Sequence, residues 1–112
     1  MHRRIYSNGM GCQTTLSRHA LEKHERDVVK YAGPDALYII REKAPLIYDR
    51  GNPEDVPERL RGLELERRRA TVKYRCKTLR VVIAKTGNCY TVVTIFPDPG
   101  RRPDLELEGG EQ

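Results

Sequence analysis

A chain of 112 residues, 38% hydrophobic and 33% charged with a net charge of +5, has room for one domain with a modest core. No apolar run approaches the roughly 20 residues a membrane helix needs, and the polar start MHRRIYSNGMG lacks the apolar stretch of a secretory signal. Cys12, Cys76 and Cys89 form an odd set without CxxC spacing, which argues against a disulfide framework and a structural zinc and makes a reducing, cytoplasmic setting the expectation.

Residues 1–14 read as a flexible arm, with at most a short extended piece at Ile5-Tyr6. A helix is predicted from Ser17 to Tyr31, with the Ser17 hydroxyl as N-cap. Ala20, Leu21, His24 and Val28 fall on its apolar stripe, so His24 is expected to be a structural, hydrogen-bonded histidine. Gly33 ends this helix and Pro34 leads into a second one over Ala36–Lys43, with Leu37, Ile40 and Tyr38 inward. Pro45 is expected to close the second helix, and Leu46-Ile47-Tyr48 to form a short strand before the turn at 49–53. Residues 54–69 admit two readings. Val56, Leu60 and Leu63 have helical spacing, whereas Leu63-Glu64-Leu65-Glu66 alternates like a strand. The balance favours a helix that gives way to strand near Arg68.

Residues 70–97 hold most of the strand formers and read as a three-stranded antiparallel meander. With Lys77-Thr78 as the first turn, Val72, Tyr74, Cys76, Leu79, Val81 and Ile83 share a core face, and Arg75 stands opposite Arg80. A three-residue loop at Thr86-Gly87-Asn88 adds Val93 and Ile95 to the core face. It also puts Thr94 across from Arg80 and Tyr90 across from Ala84. A two-residue loop would flip that third strand. Pro97, Pro99, Gly100 and Pro103 end the sheet, and residues 98–112 are expected to be an acidic, disordered tail.

The charge is unevenly spread. Residues 1–66 carry 11 basic and 11 acidic side chains, residues 67–97 carry 8 basic and none acidic, and residues 98–112 carry 2 basic and 5 acidic. A long cationic stretch on a sheet is the footprint of a protein that meets phosphates.

RNA can be cleaved without a cofactor or metal when a base takes the 2′-hydroxyl proton, an acid protonates the leaving oxygen and cations hold the phosphoryl oxygens. The candidates for that chemistry are Lys73, Arg75 and Arg80 as the phosphate clamp and Thr94 as an orienting hydroxyl. His19, off the apolar stripe of the first helix, is the candidate base or acid. Lys23, Lys77, Arg67, Arg68 and Tyr90 complete the expected substrate contacts. Such Arg runs position the backbone rather than read bases. There is no Gly-rich phosphate loop and no nucleophile elbow, and His19 and His24 are wrongly spaced for a metal on one helix face.

Ser17-Arg18-His19-Ala20-Leu21-Glu22-Lys23 resembles the S-x-H-A-x-x-(R/K) opening of small bacterial and phage domains in the barnase–EndoU–colicin–RelE (BECR) superfamily. Leu79-Arg80-Val81-Val82-Ile83, followed by Tyr90-Thr91-Val92-Val93-Thr94-Ile95-Phe96-Pro97, is similar to that family's two closing strands. The resemblance covers residues 15–97 and implies an α+β fold, N-terminal helices packed on a twisted antiparallel sheet of about four strands. It implies metal-independent cleavage of tRNA or mRNA by a toxin or effector that is paired with a neutralising antitoxin or immunity protein. His19, Lys23, Arg80 and Thr94 match its motif positions, with Lys73 or Arg75 as the basic residue of the preceding strand. The chain departs from the pattern in residues 49–69 and in having no polar catalytic group just after Phe96. The same fold also admits a non-catalytic reading, in which the basic face holds RNA, DNA, an acidic protein or the chain's own acidic tail.

Overall fold

The computed structural model describes residues 12–62 and 66–107. Its fold is α+β, with three helical segments packed on one face of a six-stranded sheet. The strands are β1 (Thr15–Leu16), β2 (Asn52–Glu54), β3 (Glu66–Tyr74), β4 (Lys77–Thr86), β5 (Cys89–Pro97) and β6 (Leu105–Leu107). They lie in the order β1-β5-β4-β3-β2, and β6 joins β3 on the same edge as β2. The sheet is mixed rather than purely antiparallel, because β1 and β6 run parallel to their neighbours. Three strands lie outside the predicted meander, β1, β2 and β6, each only two or three residues long.

Helix α1 covers residues 18–32. Arg18–Lys23 is α-helical, His24–Val28 is a π-helical turn and Val29–Ala32 is α-helical again. The predicted N-cap is present, with Ser17 Oγ accepting the Ala20 N–H at 2.9 Å. Ala20, His24, Val28 and Ala32 are buried, a spacing of four throughout. In a regular helix of about 3.6 residues per turn that spacing drifts around the axis. The wider π turn, closed by the Val29 N–H on His24 O, absorbs the drift. Leu21, expected inward, is left off the stripe and is 41% exposed. His24 is buried as expected, edge-on to Tyr38 with ring centroids 5.9 Å apart. Its Nε2, however, has no hydrogen-bond partner among the described residues. Burial therefore holds its pKa below the ordinary value, against weaker opposing pulls from Glu25 and Asp35.

Gly33 ends α1 at φ +96°, a conformation costly to a residue with a Cβ. Helix α2 (Ala36–Glu42) follows as predicted. Residues 44–50 correct the expectation of a strand. Pro45 opens helix α3 (Ala44–Arg50) instead of closing α2, because a missing N–H is harmless in a first helical turn. Ile47 and Tyr48 are then buried, and Leu46 is 43% exposed. Residues 54–69 correct the helical reading as well. Only Glu58–Leu60 is helical, as a single 3-10 turn, and β2 and β3 flank it. Leu63-Glu64-Leu65 lies outside the described residues, as do His2 and Ile5-Tyr6 of the arm.

The first hairpin turns at Arg75-Cys76, both with positive φ (54° and 67°), rather than at Lys77-Thr78. The shift by two residues preserves the alternation along β3 and β4, so Val72, Tyr74, Leu79, Val81 and Ile83 are buried under the helices as predicted. It separates Arg75 from Arg80, which now faces Thr71, and so removes a repulsive cross-strand pair. It also moves Cys76, expected in the core, to the exposed turn.

The second hairpin has a two-residue turn, Gly87-Asn88, between paired Thr86 and Cys89. Gly87 at φ +62° suits its first position. By itself that loop would turn Thr94 toward the helices. A bulge at Val93 restores the phase, with Ile83 opposite Val92 and Val82 opposite Thr94. Val92 and Ile95 are buried, and Val93 is only half-buried.

The tail is structured. Asp104 Oδ2 accepts the Thr71 N–H at 2.9 Å, and Thr71 O accepts the Asp104 N–H at 2.7 Å. This reciprocal pair starts β6, whose Leu107 is buried against the core. Residues 98–107 thus belong to the domain, against the expectation of a disordered tail. Cys12 is tied to Cys89 by a disulfide. The pairing corrects the reading against disulfides. Among the described residues no helix is long and apolar enough to cross a membrane.

Candidate nucleic-acid interface

The face of the sheet turned away from the helices carries Arg67, Arg69, Thr71 and Lys73 from β3, Thr78, Arg80, Val82 and Ala84 from β4, and Thr94 and Phe96 from β5. Its floor is apolar, since Val82 and Ala84 are buried. They stand directly across from Arg69 and Arg67, whose aliphatic stems are suited to cover them while the charged heads reach outward.

Helix α1 borders this face along β5. Ser17 makes the junction. Its N–H donates to Val92 O at 3.0 Å and its hydroxyl donates to Val93 O at 2.7 Å. The bulge therefore frees a carbonyl that the N-cap residue occupies. One helical turn separates His19 from Lys23, so the two share a helix face, and Lys23 Nζ lies 5.7 Å from the centre of the Phe96 ring. Phe96 pairs with Arg80 across β4 and β5. Half-buried Lys23 thus reaches the open face at Phe96, and His19 is exposed one turn earlier on the helix. Lys23 is also held by Asp27 at 3.2 Å.

At the other end of Arg80, Asp98 Oδ2 accepts from Nε at 3.2 Å and lies 3.2 Å from Nη2 in an ion pair. The same oxygen lies 3.3 Å from Arg101 Nε. Thr78 fixes this corner by donating its hydroxyl to Asp98 O at 2.6 Å. Beyond it a polar cleft of about 250 Å³ is lined by Asn52, Arg69, Thr71, Arg80, Arg101, Arg102 and Asp104. It lies where the outer edge of β3 passes from β2 to β6. Arg69 is held there by Glu54 at 3.6 Å.

Of the predicted residues, Arg80, Thr94, Lys73 and Arg67 share the open face, Lys23 reaches it at Phe96, and His19 is exposed on α1. Four others lie elsewhere, and their positions correct the expectation. Arg75 sits in the turn, with its guanidinium 5.8 Å from the Tyr74 ring centre and close over Gly33. Lys77 pairs with Tyr74 on the helix side, 5.2 Å from the Tyr31 ring. Arg68 turns to the helix side, donating to Tyr48 O at 3.0 Å and to Glu66 at 2.8 Å, and stacks over the Tyr48 ring at 4.4 Å. Tyr90 faces Lys85 rather than Ala84 and meets Tyr48 edge-on at 5.4 Å. The Tyr48 hydroxyl in this cluster is buried and its pKa is raised, first by burial and then by the adjacent Glu66 carboxylate. The Glu66 carboxyl is held below its usual range, chiefly by that hydroxyl and then by Arg68.

The residues that sequence reasoning missed are Asp98, Arg101, Arg102 and Asp104. The one available signal was the alternation of Leu105-Glu106-Leu107, which reads as a strand and would have drawn the preceding arginines onto the sheet. No protein-family model, curated protein or solved structure matches this chain.

Proposed function

We propose that this chain is a metal-independent endoribonuclease of the BECR type, acting on tRNA or mRNA as a toxin or effector. The observation that carries the reading is the contact of Lys23 with Phe96, the residue paired with Arg80. It supports a reading in which the His19–Lys23 face of α1 works with the sheet face that carries Arg80 and Thr94. In this mechanism His19 takes the 2′-hydroxyl proton or protonates the leaving oxygen. Arg80 and Lys73 hold the phosphoryl oxygens, and Thr94 orients the phosphate with its hydroxyl. Lys23 and Arg67 supply charge to the flanking backbone.

A cytoplasmic RNA target would call for a neutralising partner in the producing cell, and an acidic antitoxin or immunity protein suits the basic face. The Cys12–Cys89 disulfide suits a domain that crosses an oxidising space on its way to that RNA.

The test is incubation with tRNA and mRNA in EDTA. Cleavage is expected, and His19→Ala or Arg80→Ala should abolish it while the thermal melt persists. RNA binding by the parent protein without any cleavage would sink the enzymatic reading. It would favour the second one, a non-catalytic RNA-binding module, which has its own support: among the described residues no histidine lines the arginine cleft at the β3 edge.

A further inference from the structure

We infer that the cleft between Arg69, Arg80, Arg101 and Arg102, at the outer edge of β3, is a binding subsite for a phosphoryl group of an RNA strand, separate from the proposed catalytic residues His19 and Thr94. Of the Proposed function it uses RNA as the ligand and nothing about cleavage.

Three segments bring the guanidinium groups together. Arg69 and Arg80 are diagonal neighbours on the same face of β3 and β4, with Cβ atoms about 7 Å apart. A tetrahedral anion fits between two guanidiniums extended from such positions. Arg101 and Arg102 arrive from the tail, which the Asp104–Thr71 pair locks against β3. The carboxylates present are already engaged. Asp98 is shared by Arg80 and Arg101, Glu54 reaches Arg69, and Asp104 accepts the Thr71 N–H.

Each guanidinium carries five N–H donors. The contacts made inside the protein use Nε and Nη2 of Arg80, Nε of Arg101 and Nη1 of Arg69. Arg102 makes no ion pair or hydrogen bond among the described residues. Most of these donors therefore have no acceptor among the described residues, and the four arginines line a polar cavity of about 250 Å³, roomy enough for a phosphate and part of its sugar. Planar forks of this kind match phosphate oxygens two at a time. The Asp98 clamp keeps Arg80 and Arg101 in place before a ligand arrives, which lowers the entropy cost of binding.

The experiment measures binding of a single-stranded RNA to the full chain by fluorescence anisotropy over a series of salt concentrations. It is done in a His19→Ala background so that the RNA stays intact. Arg69→Gln and Arg102→Gln are compared with Arg41→Gln, an equal loss of charge on the helix layer. Each cleft variant is expected to weaken binding about tenfold and to reduce the slope of log K against log salt by about 0.7, one phosphate's share for a single strand. Arg41→Gln should leave the slope unchanged. Equal losses in all three variants would mean general charge attraction and overturn the subsite, as would cleft variants that bind like the parent. RNA binding without cleavage in the parent overturns the nuclease reading alone, whereas no RNA binding at all overturns both.

Discussion

Asp98 grips Arg80 through one carboxylate oxygen, which lies 3.2 Å from both Nε and Nη2 of the guanidinium. The two residues come from opposite sides of a charge boundary in the sequence, the cationic sheet and the acidic tail. The pair is mostly buried, so its geometry is firm, yet Arg80 still faces the cleft. Asp98 therefore both orients Arg80 and offsets part of its charge. Asp98→Asn is expected to raise RNA affinity several-fold at low salt by restoring that charge. It should cost no more than about 1 kcal/mol of stability. Anisotropy titration and urea unfolding measure the two effects, and an unchanged affinity would show that the carboxylate does not oppose RNA.

Ser17 joins helix to sheet through three bonds, its own N–H to Val92 O, its hydroxyl to Val93 O and the Ala20 N–H to its hydroxyl. Ser17→Ala loses the cap and leaves the bulge carbonyl without its partner. Unfolding in urea should report a loss of about 1–2 kcal/mol. Because His19 is two residues away, RNA cleavage should fall further than that loss of stability explains. A variant that melts early but cleaves normally when folded would separate the cap from the site.

Leu107 tests whether the tail is part of the domain. Its side chain is buried beside the core, and β6 pairs it with Tyr74. Leu107→Ala should lower stability by about 2 kcal/mol. An independent tail would tolerate the change without effect, and the urea midpoint distinguishes the two outcomes.

His24 gives the fold a pH dependence. Burial lowers its pKa in the folded chain below the ordinary histidine value of 6.5, so the unfolded chain binds the proton more readily. Stability from this group is fully present above about pH 6.5 and declines as the pH falls through the interval down to the folded value. Denaturant midpoints from pH 8 to pH 5 should trace that decline, and His24→Phe should flatten it. A parent whose midpoint does not change over this range would refute the assignment.

Much of the layering could be read from the chain. Ser17 as an N-cap, Gly33 as a stop and the alternation Val72, Tyr74, Leu79, Val81, Ile83 are local signals, and each depends on residues close in sequence. The faces of β3 and β4 survived a wrong choice of turn because moving the turn by two residues preserves the alternation. Thr94 reached the expected face for a different reason, a short loop followed by a bulge. The predicted strand at Leu46-Ile47-Tyr48 failed because a three-residue apolar run has no readable period, and Pro45 fits a helix start as well as a helix end.

The cationic face was legible because charge is a property of composition. From sequence alone came one domain, an α+β layering, an apolar side to the central strands and a positive side opposite it. Each follows from periodicity or charge counted along the chain. Tertiary structure decided which cations share that side. It sent Arg68, Arg75, Lys77 and Tyr90 to the helix layer or the turn, and it brought Arg101 and Arg102 from the tail to Arg69 and Arg80. It also paired Cys12 with Cys89, 77 residues apart. These outcomes rest on strand register and edge pairing. Register is set by contacts between distant segments, and no local pattern of residues encodes it.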